Sequence, residues 1–216
     1  THLIRILMPA TVTIEGSLPT FVPFTAEPVP VAELLLSVEL TTDPVPEDGP
    51  QAKLLSNISV IWNERFRFEE TEHSYITTIQ TVANGRPWKM VSSKDFVQST
   101  VYAPADELYS TSKFSWLIMI AYGQAALWHH TVLIHASVVK RKGIGYAFLG
   151  KSGTGKSTHS RLWIENIDGA QLLNDDNPAI HIYDNGEISV FGTPWSGKTA
   201  CYKQEEARLG AIIRLE

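Results

Sequence analysis

One segment constrains this chain more than any other: the run GKSGTGKS from Gly150 to Ser157. It satisfies the spacing G-x-x-x-x-G-K-[ST], which is typical of a phosphate-binding loop. Glycines let backbone N–H groups curl around phosphate oxygens, where a side chain would obstruct the concavity. IGYAFL before the run is typical of a buried strand, and the amphipathic THSRLWIENI after it predicts a helix. The sequence therefore predicts a strand-loop-helix unit that binds a nucleoside triphosphate.

Each loop position has a predicted role. Lys156 is expected to contact the β and γ phosphates, and Ser157 to ligate Mg²⁺ at the start of the helix, whose dipole also favours an anion. The alternative is a Gly/Ser surface linker that matches by chance, which the flanking strand and helix disfavour. The predicted nucleotide contacts are Gly150, Lys151, Ser152, Gly153, Thr154, Gly155, Lys156, Ser157 and Thr158.

An acidic pair follows one helix and one strand later, where the predicted strand AQLLNDD ends in Asp175 and Asp176. A second strand parallel to the first would bring its carboxyl end beside the phosphate loop. Phosphoryl transfer needs Mg²⁺ on the phosphate oxygens and a group that orients or deprotonates the attacking hydroxyl, and two acids can divide these roles. The alternative is an Asp-rich turn before Asn177-Pro178.

The two halves of the chain differ in pattern, and the fold class is predicted as α/β, or α+β overall. Residues 1–105 are predicted to be a mostly β region that recognises a substrate or partner, and residues 106–216 a phosphate-loop domain. Asn84-Gly85 predicts a tight turn and residues 41–50 an exposed loop. A helix is expected over residues 112–130. The predicted strand runs are LIRILM, TVTIEG, LLLSVELT, ISVIWNERFRFEE, HSYITTIQTV, KMVSSKDFVQSTVYA and LIHASVVK.

Composition excludes several classes of partner. The chain has 216 residues, 44% of them hydrophobic, and a net charge of −5 without a broad basic region. We therefore expect a globular protein that binds neither nucleic acid nor membrane. One cysteine, Cys201, cannot form an internal disulfide, and no Cys/His spacing indicates zinc. These features favour a cytoplasmic location.

The segments LIHASVV, FLGKSGTGKS and LLNDDNPAI, in this order and at close spacing, resemble the catalytic domain of bacterial HPr serine kinase. That domain has a fold similar to phosphoenolpyruvate carboxykinase, and the resemblance covers residues 134–216. It implies that ATP and Mg²⁺ bind at the loop, with Ser157 and Asp176 near the metal and Asp175 favoured as the base. It also places His135 near the active site, whereas the residues alone favour a buried core histidine.

The sequence departs from that family downstream, where it reads VFGTPWSGKTACYKQ instead of the family's arginine-containing glycine-rich signature. Trp195, Ser196, Gly197 and Lys198 are a candidate phosphate or substrate loop, with an ordinary strand connection as the alternative. HPr as the substrate is therefore in doubt. The family's domain also continues beyond the last residue of this chain, so the resemblance implies that some C-terminal elements are missing.

The leading hypothesis is a Mg²⁺-dependent kinase of the HPr kinase-like group that phosphorylates a serine-type hydroxyl of a protein, peptide or small molecule. One alternative is a carboxykinase-like enzyme acting on a small acid. Another is a nucleotide-binding regulatory protein without turnover, against which the retained Lys156, Ser157 and two acids argue. The resemblance also suggests a homo-oligomer.

Overall fold

The computed structural model describes residues 2–45, 52–61, 63–82, 85–109, 112–197 and 199–216. Within these ranges the chain is a mixed α/β protein with many strands and few helices, as the sequence predicts at this coarse level. It divides into two compact units. The first contains Thr1–Pro19 and Glu27–Ala125, and the second contains Thr20–Ala26 and Ala126–Glu216.

The first unit is built around one sheet. Its strands are β1 (Ile4–Leu7), β2 (Leu36–Thr41), β3 (Lys53–Ile61), β4 (Glu64–Glu70), β5 (Ser74–Thr81), β6 (Trp88–Ser93) and β7 (Gln98–Tyr102). They lie in the order β1-β2-β7-β6-β5-β4-β3, with β2 parallel to both of its neighbours and the remaining pairs antiparallel. Apolar residues on one face form the core, among them Val38, Ile79 and Met90, each fully buried.

One predicted strand of this unit is wrong. The run TVTIEG forms the short helix α1 (Ile14–Ser17), whose N-cap Thr13 accepts a hydrogen bond from the backbone N–H of Gly16 at 3.2 Å. A threonine cap offers the backbone an alternative to strand pairing, which β propensity alone does not reveal. Two long predicted runs are each a pair of antiparallel strands, β3 with β4 and β6 with β7. Asn84 and residues 46–50 of the predicted turn and loop lie outside the described residues.

The predicted helix over residues 112–130 is observed as α2 (Lys113–Ala125), followed by a 3₁₀ turn (Ala126–His129). Helix α2 packs against β2, β6 and β7 and buries Phe114, Leu117 and Ile118. It is therefore grouped with the first unit, and the division between the units falls after Ala125.

A polar cluster is buried under the start of α2. The Lys113 side chain is 5% exposed, and its ammonium lies 3.3 Å from a Glu107 carboxylate oxygen and 3.9 Å from one of Glu64. The indole N–H of Trp88 donates to Glu107 at 3.0 Å. The lysine thus neutralises two carboxylates that would be costly to bury alone.

The second unit contains the other sheet. Its strands are β8 (Thr131–Leu133), β9 (Ala136–Arg141), β10 (Ile144–Leu149), β11 (Gln171–Asn174), β12 (Ala179–Ile182), β13 (Ile188–Phe191) and β14 (Glu206–Arg214). The predicted single strand LIHASVVK is thus two strands, β8 and β9. The order in the sheet is β11-β9-β10-β14-β13-β12-β8, and β10 is parallel to β14. A hairpin turn at Asp184-Asn185-Gly186 joins β12 to β13.

Helix α3 (Lys156–Asn166) follows β10 and covers one face of this sheet. Adjacent residues of β10 point to opposite faces, so Phe148 packs with Trp163 of α3 while Ala147 joins a second cluster with Val138 and Leu173. Among the described residues, no helix is long and apolar enough to cross a lipid bilayer.

Candidate functional site

The predicted phosphate loop connects the carboxyl end of β10 to α3. Gly153 and Gly155 have φ values of +88° and +90°, in the left-handed region that glycine adopts without strain. Gly155 is the N-cap of α3, so the chain turns sharply into the helix and the first helical N–H groups are directed at the loop. The local geometry is that of an anion-binding loop.

Lys156 lies across this loop. Its side chain is largely buried, and its ammonium donates to the backbone oxygen of Gly150 at 2.9 Å and to that of Lys151 at 3.4 Å. Ser157 and Thr158, in the first turn of α3, are exposed. A buried lysine amine surrounded by loop backbone and two exposed hydroxyls is therefore available to an anionic ligand.

The acidic pair lies at the same edge of the sheet as the loop. Strand β9 is antiparallel to both β10 and β11, so β10 and β11 run in the same direction and their carboxyl ends share an edge. The predicted parallel orientation is confirmed, but β9 separates the two strands. Since neighbouring strands are about 4.8 Å apart, the acids lie about 10 Å across the sheet from the start of the loop.

Asp175 is buried, with 6% of its surface exposed. Its Oδ1 accepts a 2.6 Å hydrogen bond from the hydroxyl of Ser137 on β9, whose oxygen lies 2.7 Å from the hydroxyl oxygen of Ser160 on α3. Ser160 is one turn beyond Lys156 on the same face of the helix. A chain of buried hydroxyls thus connects the helix that carries Lys156 to the Asp175 carboxylate.

The second oxygen of Asp175, Oδ2, is buried without a hydrogen-bond partner among the described residues. A buried carboxylate oxygen left in this state costs free energy unless a cation or donor binds it. This oxygen is therefore a candidate ligand for a cation that the chain itself does not supply.

Asp176 is more accessible, with 25% of its side chain exposed, and its Oδ1 lies 3.3 Å from Nε2 of His135. Burial raises the pKa of Asp176 above its ordinary value, His135 and Lys156 oppose this rise, and the Asp175 carboxylate adds to it. The Asp176 backbone oxygen accepts from the Ala136 N–H at 2.9 Å, which fixes the turn against the start of β9. His135 is half exposed, so the core position that its strand favoured is wrong.

The second glycine-bearing loop packs against the acidic turn. Gly197 approaches so closely that a Cβ there would lie 2.9 Å from the Asp175 backbone oxygen and 3.4 Å from Cβ of Asp176. Ser196 donates from its hydroxyl to the Thr199 backbone oxygen at 2.7 Å. Trp195 is buried, with its ring centroid 5.7 Å from that of Phe21. Lys198 lies outside the described residues.

A polar network connects this loop to the acidic turn. Asn174 is fully buried, and its amide nitrogen donates to the Thr193 hydroxyl at 3.1 Å, while its amide oxygen accepts from the Asp176 N–H at 2.9 Å. The Thr193 hydroxyl donates to the Asn177 backbone oxygen at 2.7 Å. The backbone oxygen of Trp195 also accepts from the Asn177 N–H at 3.2 Å, so this network holds the loop, with Gly197, against the acidic turn.

Sequence reasoning missed Ser137, Ser160, Asn174 and Thr193. Ser137 and Asn174 do carry a detectable signal, because each is a polar residue in an otherwise apolar strand next to a predicted site residue. Ser160 and Thr193 become recognisable only when the strands are paired.

Among the described residues, no group of three or more His, Cys, Asp or Glu side chains is placed to hold a metal alone. No protein-family model matches the sequence, and no curated protein matches it at a significant level. The interpretation of the site therefore depends on its own geometry.

Proposed function

We propose that this protein is an ATP-dependent, Mg²⁺-requiring phosphotransferase of the HPr kinase-like group, with a phosphoenolpyruvate carboxykinase-like second unit. It transfers the γ-phosphate to a serine-type hydroxyl of a protein, peptide or small molecule. The observation that carries the proposal is the convergence, at one edge of a sheet, of the Lys156 loop with the Asp175–Asp176 pair and His135.

The loop supports binding of a triphosphate. Backbone N–H groups at the start of α3 and the Lys156 ammonium supply positive charge in a partly buried setting, where electrostatic attraction is stronger than in bulk water. The bonds of Lys156 to two backbone oxygens keep the amine over the loop before a ligand arrives. Phosphate oxygens would take over these bonds from the backbone.

The residues present suit Mg²⁺. This ion takes one or two carboxylates together with phosphate oxygens and waters, so it needs no closed protein cage. Ser157, with its exposed hydroxyl, and one carboxylate of the acidic pair would hold it. The unpartnered Oδ2 of Asp175 and the carboxylate of Asp176 are the two candidates. Bound there, the ion would offset the negative charge that develops on the phosphoryl oxygens.

We assign proton acceptance to Asp176, the reverse of the division that the sequence favoured. Asp175 is buried and already accepts a hydrogen bond from Ser137, whereas Asp176 is accessible and has a raised pKa, which makes a carboxylate a stronger base. The acceptor hydroxyl oxygen attacks the γ-phosphorus, the bond from this phosphorus to the β–γ bridging oxygen breaks, and ADP leaves. The hydroxyl proton moves to Asp176, which His135 orients.

Turnover is the test of this assignment. The protein is incubated with Mg²⁺ and ATP labelled in the γ-phosphate, and the label is followed in free phosphate, in the protein itself and in serine-containing peptides. We expect transfer that Asp176→Asn lowers by at least about a hundredfold, in the range of a lost acid–base group. Asp184→Asn removes an exposed carboxylate from the β12–β13 turn and is the matched control. Nucleotide binding with no transfer or hydrolysis would refute the enzyme and favour the regulatory alternative.

A further inference from the structure

A polar cavity of about 320 Å³ lies on the sheet of the first unit. Its lining includes Arg65, Arg67 and Glu69 of β4, Thr78 and Gln80 of β5, and Lys89 of β6. None of these side chains belongs to the phosphate loop or to the acidic pair. The cavity is therefore a second concentration of polar groups, separate from the nucleotide chemistry.

These six residues share one face of the sheet. Side chains alternate between the two faces along each strand. Arg67 is paired with Thr78, which is paired in turn with Lys89, and Arg65 is paired with Gln80. The residues between them point to the opposite face, which packs against α2. The cavity thus lies on the face of the sheet away from α2.

The cavity is basic, although the protein is acidic. Arg65, Arg67 and Lys89 are its cations and Glu69 is its carboxylate, which leaves an excess of two positive charges in a chain with a net charge of −5. Arg65 is exposed and makes no ion pair with any other residue in the described part of the chain. A local field of this sign attracts anionic partners and discriminates against cationic ones.

Glu69 holds one of these cations in place. Its side chain is only 11% exposed, and one of its oxygens accepts a 2.5 Å hydrogen bond from Nη2 of Arg67. A guanidinium has five N–H donors in a planar fork, so the other donors of Arg67 remain for a ligand. Restraint of a long side chain before binding lowers the entropy lost on binding. Arg67 is therefore a preformed donor for a carboxylate.

The spacing of the cations fits an extended peptide. Arg65 and Arg67 are alternate residues of β4, so their Cα atoms lie about 6.6–6.8 Å apart, and alternate side chains of any extended segment repeat at the same distance. Lys89 lies two strands from Arg67, about 10 Å across the sheet. Glu69 repels a densely charged group such as a phosphate, so separate carboxylates suit the cavity better.

We propose that this cavity binds an extended acidic segment of a partner protein. Carboxylates on two alternate residues of the segment contact Arg65 and Arg67, and Lys89 adds positive charge on the other side of the cavity. The site lies wholly within the first unit and does not require a nucleotide, so it can be tested independently of the proposed function. It gives a chemical class to the partner that residues 1–105 are predicted to recognise.

The test is fluorescence anisotropy of the full chain, without nucleotide, with a labelled heptapeptide of alternating threonine and glutamate. Threonine favours an extended chain, and a second peptide carries glutamine in place of each glutamate. Arg65→Gln and Lys89→Gln each remove one cation of the cavity. The matched control is Lys53→Gln, which removes an exposed lysine at the start of β3 in the same sheet. Arg67 stays unchanged, because its loss would leave the buried Glu69 carboxylate without its cation.

We expect the acidic peptide to bind the wild type and the glutamine peptide not to bind. Arg65→Gln should raise the Kd for the acidic peptide about tenfold, which corresponds to the loss of one hydrogen bond to a charged group. Lys89→Gln should also raise this Kd, and Lys53→Gln should leave it unchanged. Circular dichroism spectra should show that all three variants are folded.

Three results would refute the site. The first is absence of binding of the acidic peptide to the wild type, or unchanged binding to the Arg65→Gln variant. The second is equal weakening by Lys53→Gln, which would show attraction to the whole surface and not to this cavity. The third is displacement of the peptide by free glutamate at the same concentration, which would show that the two arginines do not act together along β4.

Discussion

Replacing Ser137 with alanine tests the hydroxyl chain at the site. The substitution removes the only described hydrogen-bond donor to Oδ1 of Asp175, whose other oxygen already has no described partner. A hydrogen bond to a charged group contributes about 1.5–3 kcal/mol, and removing it leaves a buried carboxylate unsatisfied. We therefore expect Ser137→Ala to lower the free energy of unfolding by about 2 kcal/mol, which in a chain of this size lowers the Tm by about 4–8 °C.

The assay is urea denaturation combined with hydrogen exchange of peptides from β9 to β11, which reports on the second unit separately. Ser99→Ala is the matched control, because Ser99 and Ser92 form another buried serine pair, 2.8 Å apart, in the first unit. Both partners there are neutral, so the expected cost is about 1 kcal/mol. Equal losses of unfolding free energy in the two variants would show that the Ser137–Asp175 hydrogen bond stabilises the fold no more than a bond between two neutral serines. A cost that persists unchanged in an Asp175→Asn background would also refute the reasoning.

Three further predictions concern the site and the first unit. Gly197→Ala places a Cβ 2.9 Å from the Asp175 backbone oxygen, so the loop must shift away from the acidic turn. We expect steady-state kinetics to show turnover at least about tenfold lower. Calorimetry should show an unchanged Kd for ATP. Because the pKa of Asp176 is raised in the fold, the unfolded chain releases this proton more readily, and stability falls as pH rises above the ordinary value of 3.8. Asp176→Asn should therefore raise the Tm at pH 7, and a scan of Tm against pH should show the gain vanishing toward that value; a gain independent of pH would contradict this. Lys113→Ala removes the buried cation beside the Glu64 and Glu107 carboxylates. Urea denaturation should therefore show that the free energy of unfolding of the first unit falls by about 3–5 kcal/mol.

The loop and the acidic pair could be predicted from the sequence because their signals are local. A glycine spacing, a flanking apolar strand and two adjacent acids all lie within 33 residues, from Ile144 to Asp176. The direction of β11 was also predicted, because a strand-loop-helix-strand unit delivers its second strand parallel to the first. Its separation from β10 by β9 could not be predicted, because strand order depends on pairings between distant residues.

The different environments of Asp175 and Asp176 could not be predicted from the sequence either. Asp175 and Asp176 are adjacent and chemically alike in sequence, and alternation along the backbone gives one a buried serine partner and the other an exposed histidine. The misassigned strand at TVTIEG has a similar cause, since Thr13 is a favourable strand residue that here caps a helix.

The most direct test of the central claim is calorimetric titration of the full chain with ATP and Mg²⁺, for the wild type and for Lys156→Ala. The matched control is Lys140→Ala, which removes one positive charge near the end of β9 that lies away from the phosphate loop. We expect one binding site per chain, which Lys156→Ala abolishes and Lys140→Ala preserves. Absence of binding by the wild type, or equal binding by the Lys156→Ala variant, would contradict this expectation.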